Sequence, residues 1–155
     1  MGLTMVSDYF LLLARNYYAG VFVFCFVHAA YILRINKKEI LKWAAVPFSA
    51  AVIHFYIFEG PLLIYLAGMY AVLFAMNLAV NIKYNPLPKI NRRLVLAGLV
   101  LFALCDIHVL LFNLPRFLPV PPELGEWGGM WIWVFYAPSQ LLLSVSALRW
   151  REKVM

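Results

Sequence analysis

Acidic side chains are scarce in this chain: seven in 155 residues, of which only two, Asp8 and Asp106, are aspartates. Charged residues of both signs make up 13%. That is too few to clothe the surface of a water-soluble domain of this length. Cysteine is limited to Cys25 and Cys105, both inside apolar runs, which reads as two small core residues rather than a disulfide or a metal centre. Three scattered histidines, His28, His54 and His108, make no convincing ligand set, so no metal and no other cofactor is expected. Residues 1 to 15 lack a basic n-region and a cleavage motif, which argues against a signal peptide.

What the chain has in their place is apolar surface: 65% hydrophobic residues and a mean hydropathy of +0.84. A single soluble core cannot absorb that much, and the expectation is one integral membrane domain, all-α and polytopic. The net charge of +6 does not indicate a nucleic-acid partner, because the basic residues sit in short clusters between apolar runs. Five full spans are expected at about 17 to 34, 41 to 58, 61 to 82, 94 to 113 and 129 to 148, with Pro47 as a kink in the second. Before them comes a short N-terminal helical or re-entrant segment, ended by Arg15 and Asn16.

Basic residues crowd alternate connections: Arg34, Lys37, Lys38 and Lys42, then Lys83, Lys89, Arg92 and Arg93, then Arg149, Arg151 and Lys153. The turn at Glu59-Gly60-Pro61 has none, and 114 to 128 has only Arg116 against Glu123 and Glu126. This alternation fits an odd number of spans with the C-terminus cytoplasmic. The connection 114 to 128 is rich in proline and glycine, which predicts no regular helix there. It reads as an interfacial connector, with Trp127, Trp131 and Trp133 in the aromatic belt, or as a lid over a cavity.

The run 94 to 113 is apolar except for Asp106, His108 and Asn113. A carboxyl within a span is expensive unless it is paired, hydrated or neutral, and it marks a functional site by default. Helical geometry places Leu99, Phe102, Val109, Leu110 and Asn113 on the face of Asp106. His108 points almost the opposite way and reads as a satisfied buried or interfacial imidazole. Asp8 sits in a similar setting, a small residue before it and a leucine-rich turn after it. If both helices run outward, the two carboxyls lie at similar depth, about 10 Å from the outer end. Each is followed by a turn and a returning span with a polar stripe. On the first span the stripe is Gly20, Phe24, His28 and Tyr31; on the fifth it is Tyr136, Gln140 and Leu143, with Ser139 beside it. This is a weak internal repeat, of the kind that sets a site at the repeat interface. On the third span Tyr70, Asn77, Asn81 and Tyr84 share a face, which fits either interhelical hydrogen bonding or a site wall containing Asn77. His54 carries no assignment.

Four short blocks in order resemble the YhhN-like membrane proteins, the lysoplasmalogenase family. They are Ser7-Asp8-Tyr9-Phe10-Leu11-Leu12, Gly20-x-x-x-Phe24-x-x-x-His28-x-x-Tyr31, Gly98-Leu99-Val100-Leu101-Phe102-Ala103-Leu104-Cys105-Asp106, and Tyr136-Ala137-Pro138-Ser139-Gln140-Leu141-Leu142. Cys105 stands where serine is common, and Ser7 where glycine is common. Members of the family have about eight spans, so the resemblance implies that this chain lacks the first two and part of the third. It also implies hydrolysis of the vinyl ether bond of a lysoplasmalogen, with Asp8 and Asp106 catalytic. His28, Tyr31, Asn77, Tyr136 and Gln140 would orient the aspartates and the lysolipid. Such a reaction needs one carboxylic acid to protonate carbon and a second carboxylate to stabilise the cation or activate water. The expected partners are a lysolipid substrate and membrane lipid, with a homodimer as one way to replace missing spans. Two other readings stay open: a non-catalytic lipid-binding or scaffolding relative, and a small transporter with Asp106 on a proton path.

Overall fold

A computed structural model describes residues 2–35, 62–84, 86–116 and 118–148, and among them every regular element is helical. The elements fall into two compact units, 1–86 and 87–155.

The first unit opens with α1 (Gly2–Asp8), which runs directly into one wider π turn over Tyr9–Leu13. The expected N-terminal segment is thus helical but not uniform: its winding changes immediately after Asp8. The segment ends through Arg15, whose φ of 50° turns the backbone left-handed. Asn16 then starts the next helix, its Oδ1 accepting from the amide of Ala19 at 3.1 Å. This helix, α2 (Tyr17–Ile35), matches the first expected span, and α3 (Leu62–Tyr84) matches the third. Phe24 meets Tyr70, while His28 meets Tyr70, Phe74 and Asn77. Because the partners ascend together along both chains, α2 and α3 run in the same direction. The second expected span, with Pro47 and His54, lies outside the described residues.

The second unit is an antiparallel hairpin of α4 (Lys89–Asn113) and α5 (Pro122–Val145), joined through a 3₁₀ turn at Leu114–Arg116. The stripe Asn91, Val95, Gly98, Phe102 and Cys105 is buried, as periodicity of 3.6 requires of one packed helix face. At its lower end Asn91 donates to the carbonyls of Ser146 and Leu148, at 2.7 and 2.8 Å, and satisfies the end of α5. At the upper end Gly128 lies so close to α4 that a Cβ there would stand 2.8 Å from the amide nitrogen of Phe112.

The expectation of an irregular 114 to 128 is corrected here. Only the part before Pro122 is non-α; residues 122 to 128 form the first turns of α5. Pro122 occupies the first helical position, where no amide hydrogen is needed and its ring presets φ. Gly125 and Gly128 are buried against α4, so they serve close packing rather than chain reversal. The helix over the fifth expected span, 129 to 148, therefore begins earlier, at Pro122, and ends at Val145.

Among the described residues, three helices are long and apolar enough to cross a membrane: Tyr17–Ile35, Leu62–Tyr84 and the segment Lys89–Arg116. Helix α5 has 24 residues, but glycine, tryptophan, Pro138, Ser139 and Gln140 dilute its apolar character and it is not among them. Large apolar side chains face outward on all four long helices, among them Phe22, Phe26, Val72, Val100, Ile107 and Leu141. Such a surface is stable in lipid and a liability in water.

Candidate functional site

The expected site residues are distributed over both units. In the first, Asp8 is half-buried at the junction where α1 passes into the π turn. Its neighbour Ser7 is fully buried and donates to the carbonyl of Gly20 at 2.6 Å. Gly20 also receives the side chain of Leu11, in the space a Cβ would fill. The segment carrying Asp8 is thereby pinned to α2 on both sides of the carboxylate, by a hydroxyl before it and a leucine after it.

Along α2 the stripe predicted from spacing is buried at Gly20, Phe24 and His28, and half-buried at Tyr31. It meets the stripe of α3. Nδ2 of Asn77 lies 3.2 Å from Nδ1 of His28, and Asn81 donates from Nδ2 to both Oδ1 and the backbone carbonyl of Asn77, each at 2.8 Å. Asn77 and Asn81 are almost fully buried, at 0% and 1% exposure. Tyr70 and Phe74 close on the imidazole, each with its ring centroid at 5.1 Å. His28 and Asn77, both expected site residues, are therefore in direct contact. Tyr84 does not join the stripe: it is exposed at the end of α3 with Lys83 over its ring at 5.3 Å.

In the second unit Asp106 is half-buried on α4, one position round from Cys105, which faces α5. Of the side chains that share its helical face, Leu99 and Phe102 are buried while Val109 and Leu110 are exposed. Asp106 thus stands at the edge of the hairpin core rather than in its middle. Tyr136 packs its ring on Phe102, one turn from Asp106, with centroids 5.8 Å apart. Gln140 follows one turn along α5 and is half-buried. Between them Ser139, fully buried, donates to the carbonyl of Gly98 at 2.8 Å.

His108 has the buried role its position suggested. Its Nδ1 lies 2.7 Å from the carbonyl of Leu104, which can only accept, and its ring is surrounded by Trp127, Trp131 and Phe135. Asn113, on the face of Asp106, turns back to the carbonyl of Val109. Both cysteines are buried. Among the described residues no three His, Cys, Asp or Glu side chains come together as a metal site would require.

Residues that sequence reasoning passed over are the ones that anchor the candidates: Ser7, Gly98 and Asn91. Ser7 sits beside Asp8 in the chain and Gly98 opens the Asp106 block, so their position was the available signal. Nothing in the sequence distinguishes Asn91 from a surface residue.

Apolar helices long enough to cross a bilayer, joined within each unit by buried polar contacts, define an integral membrane protein. The model of the YhhN family matches residues 1–147, nearly the whole chain, and the protein belongs to that family. Neither the curated proteins nor the solved structures yield a match.

Proposed function

We propose that this protein is a membrane-embedded hydrolase that cleaves the vinyl ether bond of lysoplasmalogens, with Asp8 and Asp106 as its acid and base. The observation that carries the reading is membership of the YhhN family over residues 1–147, which fits a lysoplasmalogenase-type activity at family level. The residues support it: the only two aspartates of the chain are both half-buried on helices of a membrane protein, a costly placement without a use.

In the proposed reaction one carboxylic acid protonates the vinyl carbon remote from the ether oxygen, leaving an oxocarbenium ion at the other. Water adds to that carbon as the second carboxylate takes its proton, giving a hemiacetal. The first carboxylate then accepts the hemiacetal hydroxyl proton while the second returns its proton to the departing glycerol oxygen. A fatty aldehyde and a glycerophospho-alcohol leave, and both carboxyls regain their starting states. His28, Tyr31, Asn77, Tyr136 and Gln140 orient the lysolipid in this scheme. Asp106→Asn in detergent is expected to fold normally and to lose aldehyde release by at least ~100-fold, the size of a general acid–base contribution. Wild-type turnover by that variant removes Asp106 from the mechanism.

The same reading takes the chain as five spans with its C-terminus cytoplasmic. The parallel course of α2 and α3 is compatible with that arrangement. Arg34 and Lys83 end these two helices. Asn91 ties the end of α5 to the start of α4, where Lys89, Arg92 and Arg93 lie. Basic residues at these helix ends are the reason the reading takes those ends as cytoplasmic.

A second reading has its own support. His28, Asn77, Asn81, Ser7 and Ser139 are hydrogen-bonded to one another or to backbone, as in a polar scaffold that only joins helices. Purified protein that binds lysolipid and releases no aldehyde would favour this non-catalytic form.

A further inference from the structure

His28 is held by a chain of hydrogen bonds whose directions can be worked out from one end. The fixed point is the backbone carbonyl of Asn77, which only accepts. Nδ2 of Asn81 lies 2.8 Å from it, so that arm of the Asn81 amide is its NH₂ group. The same Nδ2 lies 2.8 Å from the side chain of Asn77, which therefore presents Oδ1 to Asn81. The other arm of the Asn77 amide is then its NH₂, and this is the arm 3.2 Å from Nδ1 of His28. An amide NH₂ has no lone pair to offer, so Nδ1 of His28 must accept and carries no proton. Reversing the Asn77 amide would set its NH₂ against the NH₂ of Asn81, and reversing both would set Oδ1 of Asn81 against the Asn77 carbonyl.

We infer that Asn81, acting through Asn77, holds His28 as a neutral imidazole with its proton on Nε2, so that the ring serves as a hydrogen-bond donor through that atom. Asn81 is thus a positioning residue: it sets the state of the His28 ring through the Asn77 amide. Tyr70 and Phe74 stand against the ring with interplanar angles of 60° and 90° and keep it from turning over. His108 is a natural contrast, because its Nδ1 donates to the Leu104 carbonyl and its neutral form is the opposite tautomer. The tautomer assignment stands on these contacts alone. The use of the Nε2 hydrogen, donation to an ether or phosphate oxygen of a lysolipid, rests on the hydrolase reading.

Nitrogen-15 NMR of imidazole-labelled full-length protein in lipid nanodiscs at mildly alkaline pH tests it, with resonances assigned by His28→Gln and His108→Gln. The expected result is a pyridine-type Nδ1 and a pyrrole-type Nε2 for His28, and the reverse for His108. Asn77→Asp keeps an acceptor toward Asn81 but offers none of its NH₂ to the ring, so Nδ1 of His28 is expected to become protonated. Asn81→Leu releases the Asn77 amide, and the single-tautomer pattern is expected to be lost while the His108 signals stay in place. A protonated Nδ1 on His28 in the wild-type protein overturns the inference. So does an unchanged His28 pattern in Asn77→Asp with the His108 signals intact. Aldehyde release is measured on the same samples. The inferred tautomer without hydrolysis leaves the inference standing and removes the hydrolase reading; hydrolysis with the reverse tautomer does the opposite.

Discussion

Two serine hydroxyls do similar work in the two units. Ser7 donates to the carbonyl of Gly20 and Ser139 to that of Gly98, each across a helix pair and each with no solvent exposure. In both cases the acceptor is a glycine, whose missing side chain lets the helices approach until a hydroxyl on one reaches the backbone of the other. Within the apolar interior neither hydroxyl has water as an alternative partner, so the bond is kept although its net worth is modest. Ser139→Ala removes the donor and leaves a small gap beside Gly98, so a loss of about 1 kcal/mol is expected in unfolding measurements in detergent. Ser139→Val adds bulk beside the site where Gly98 already meets Leu143, and is expected to cost more than the alanine variant. If the alanine variant were the worse of the two, packing would not be what limits this contact. At this scale sequence and structure part company over polarity: Asp106 and His28 were visible as misplaced polar groups, whereas Ser7 and Ser139 were ordinary small residues until the facing glycine was known.

The hairpin of α4 and α5 shows how glycine shapes an element without breaking it. Gly125 and Gly128 sit in the first turns of α5, where proline and glycine together suggested a loop. Helix propensity argues against them by about 1 kcal/mol each. Burial against Phe112 and Pro115 offsets that penalty, because no side chain fits where the two helices meet. Gly128→Ala would put a Cβ 2.8 Å from the Phe112 amide nitrogen and 3.0 Å from the His108 carbonyl, and backbone atoms of a packed helix cannot give way. A destabilisation of about 1–3 kcal/mol is expected. Gly68 in α3 is the control: an added Cβ meets nothing within 4 Å, so Gly68→Ala is expected to be neutral or to stabilise by up to about 1 kcal/mol through helix propensity alone. Thermal unfolding of both variants in the same detergent reads the difference. The π turn is the other feature of element scale. It follows Asp8 directly, and wider turns of this kind are frequent where a helix presents a functional group.

For the whole molecule the expected outcome is a multi-pass protein with its basic ends on the cytoplasmic side. A reporter fused after Met155 and active only in the cytoplasm should be active, and one active only outside should be silent; the reverse pattern would reject the five-span arrangement. Much of this level could be read directly from the chain. Apolar runs about 30 Å long when helical, basic clusters at alternate connections and the order of four short blocks indicated an all-α membrane protein and its family, because hydrophobic length and charge placement act through the bilayer rather than through tertiary contacts. The presence of Asp8 and Asp106 as rare carboxyls within apolar runs was equally plain, since a carboxyl in such a run stands out wherever the helices go. Tertiary structure alone decided which groups meet. The α-helix over 122 to 128 exists because α4 is there to bury its glycines, and Pro122 starts it rather than stops it. The contact of His28 with Asn77 depends on two helices separated by 26 residues of sequence, 36 to 61, running in the same direction. The sequence determined which side chains lipid would not tolerate at its surface; the direction of each hydrogen bond, and with it the proton position on His28, followed only once a neighbouring helix supplied the partner.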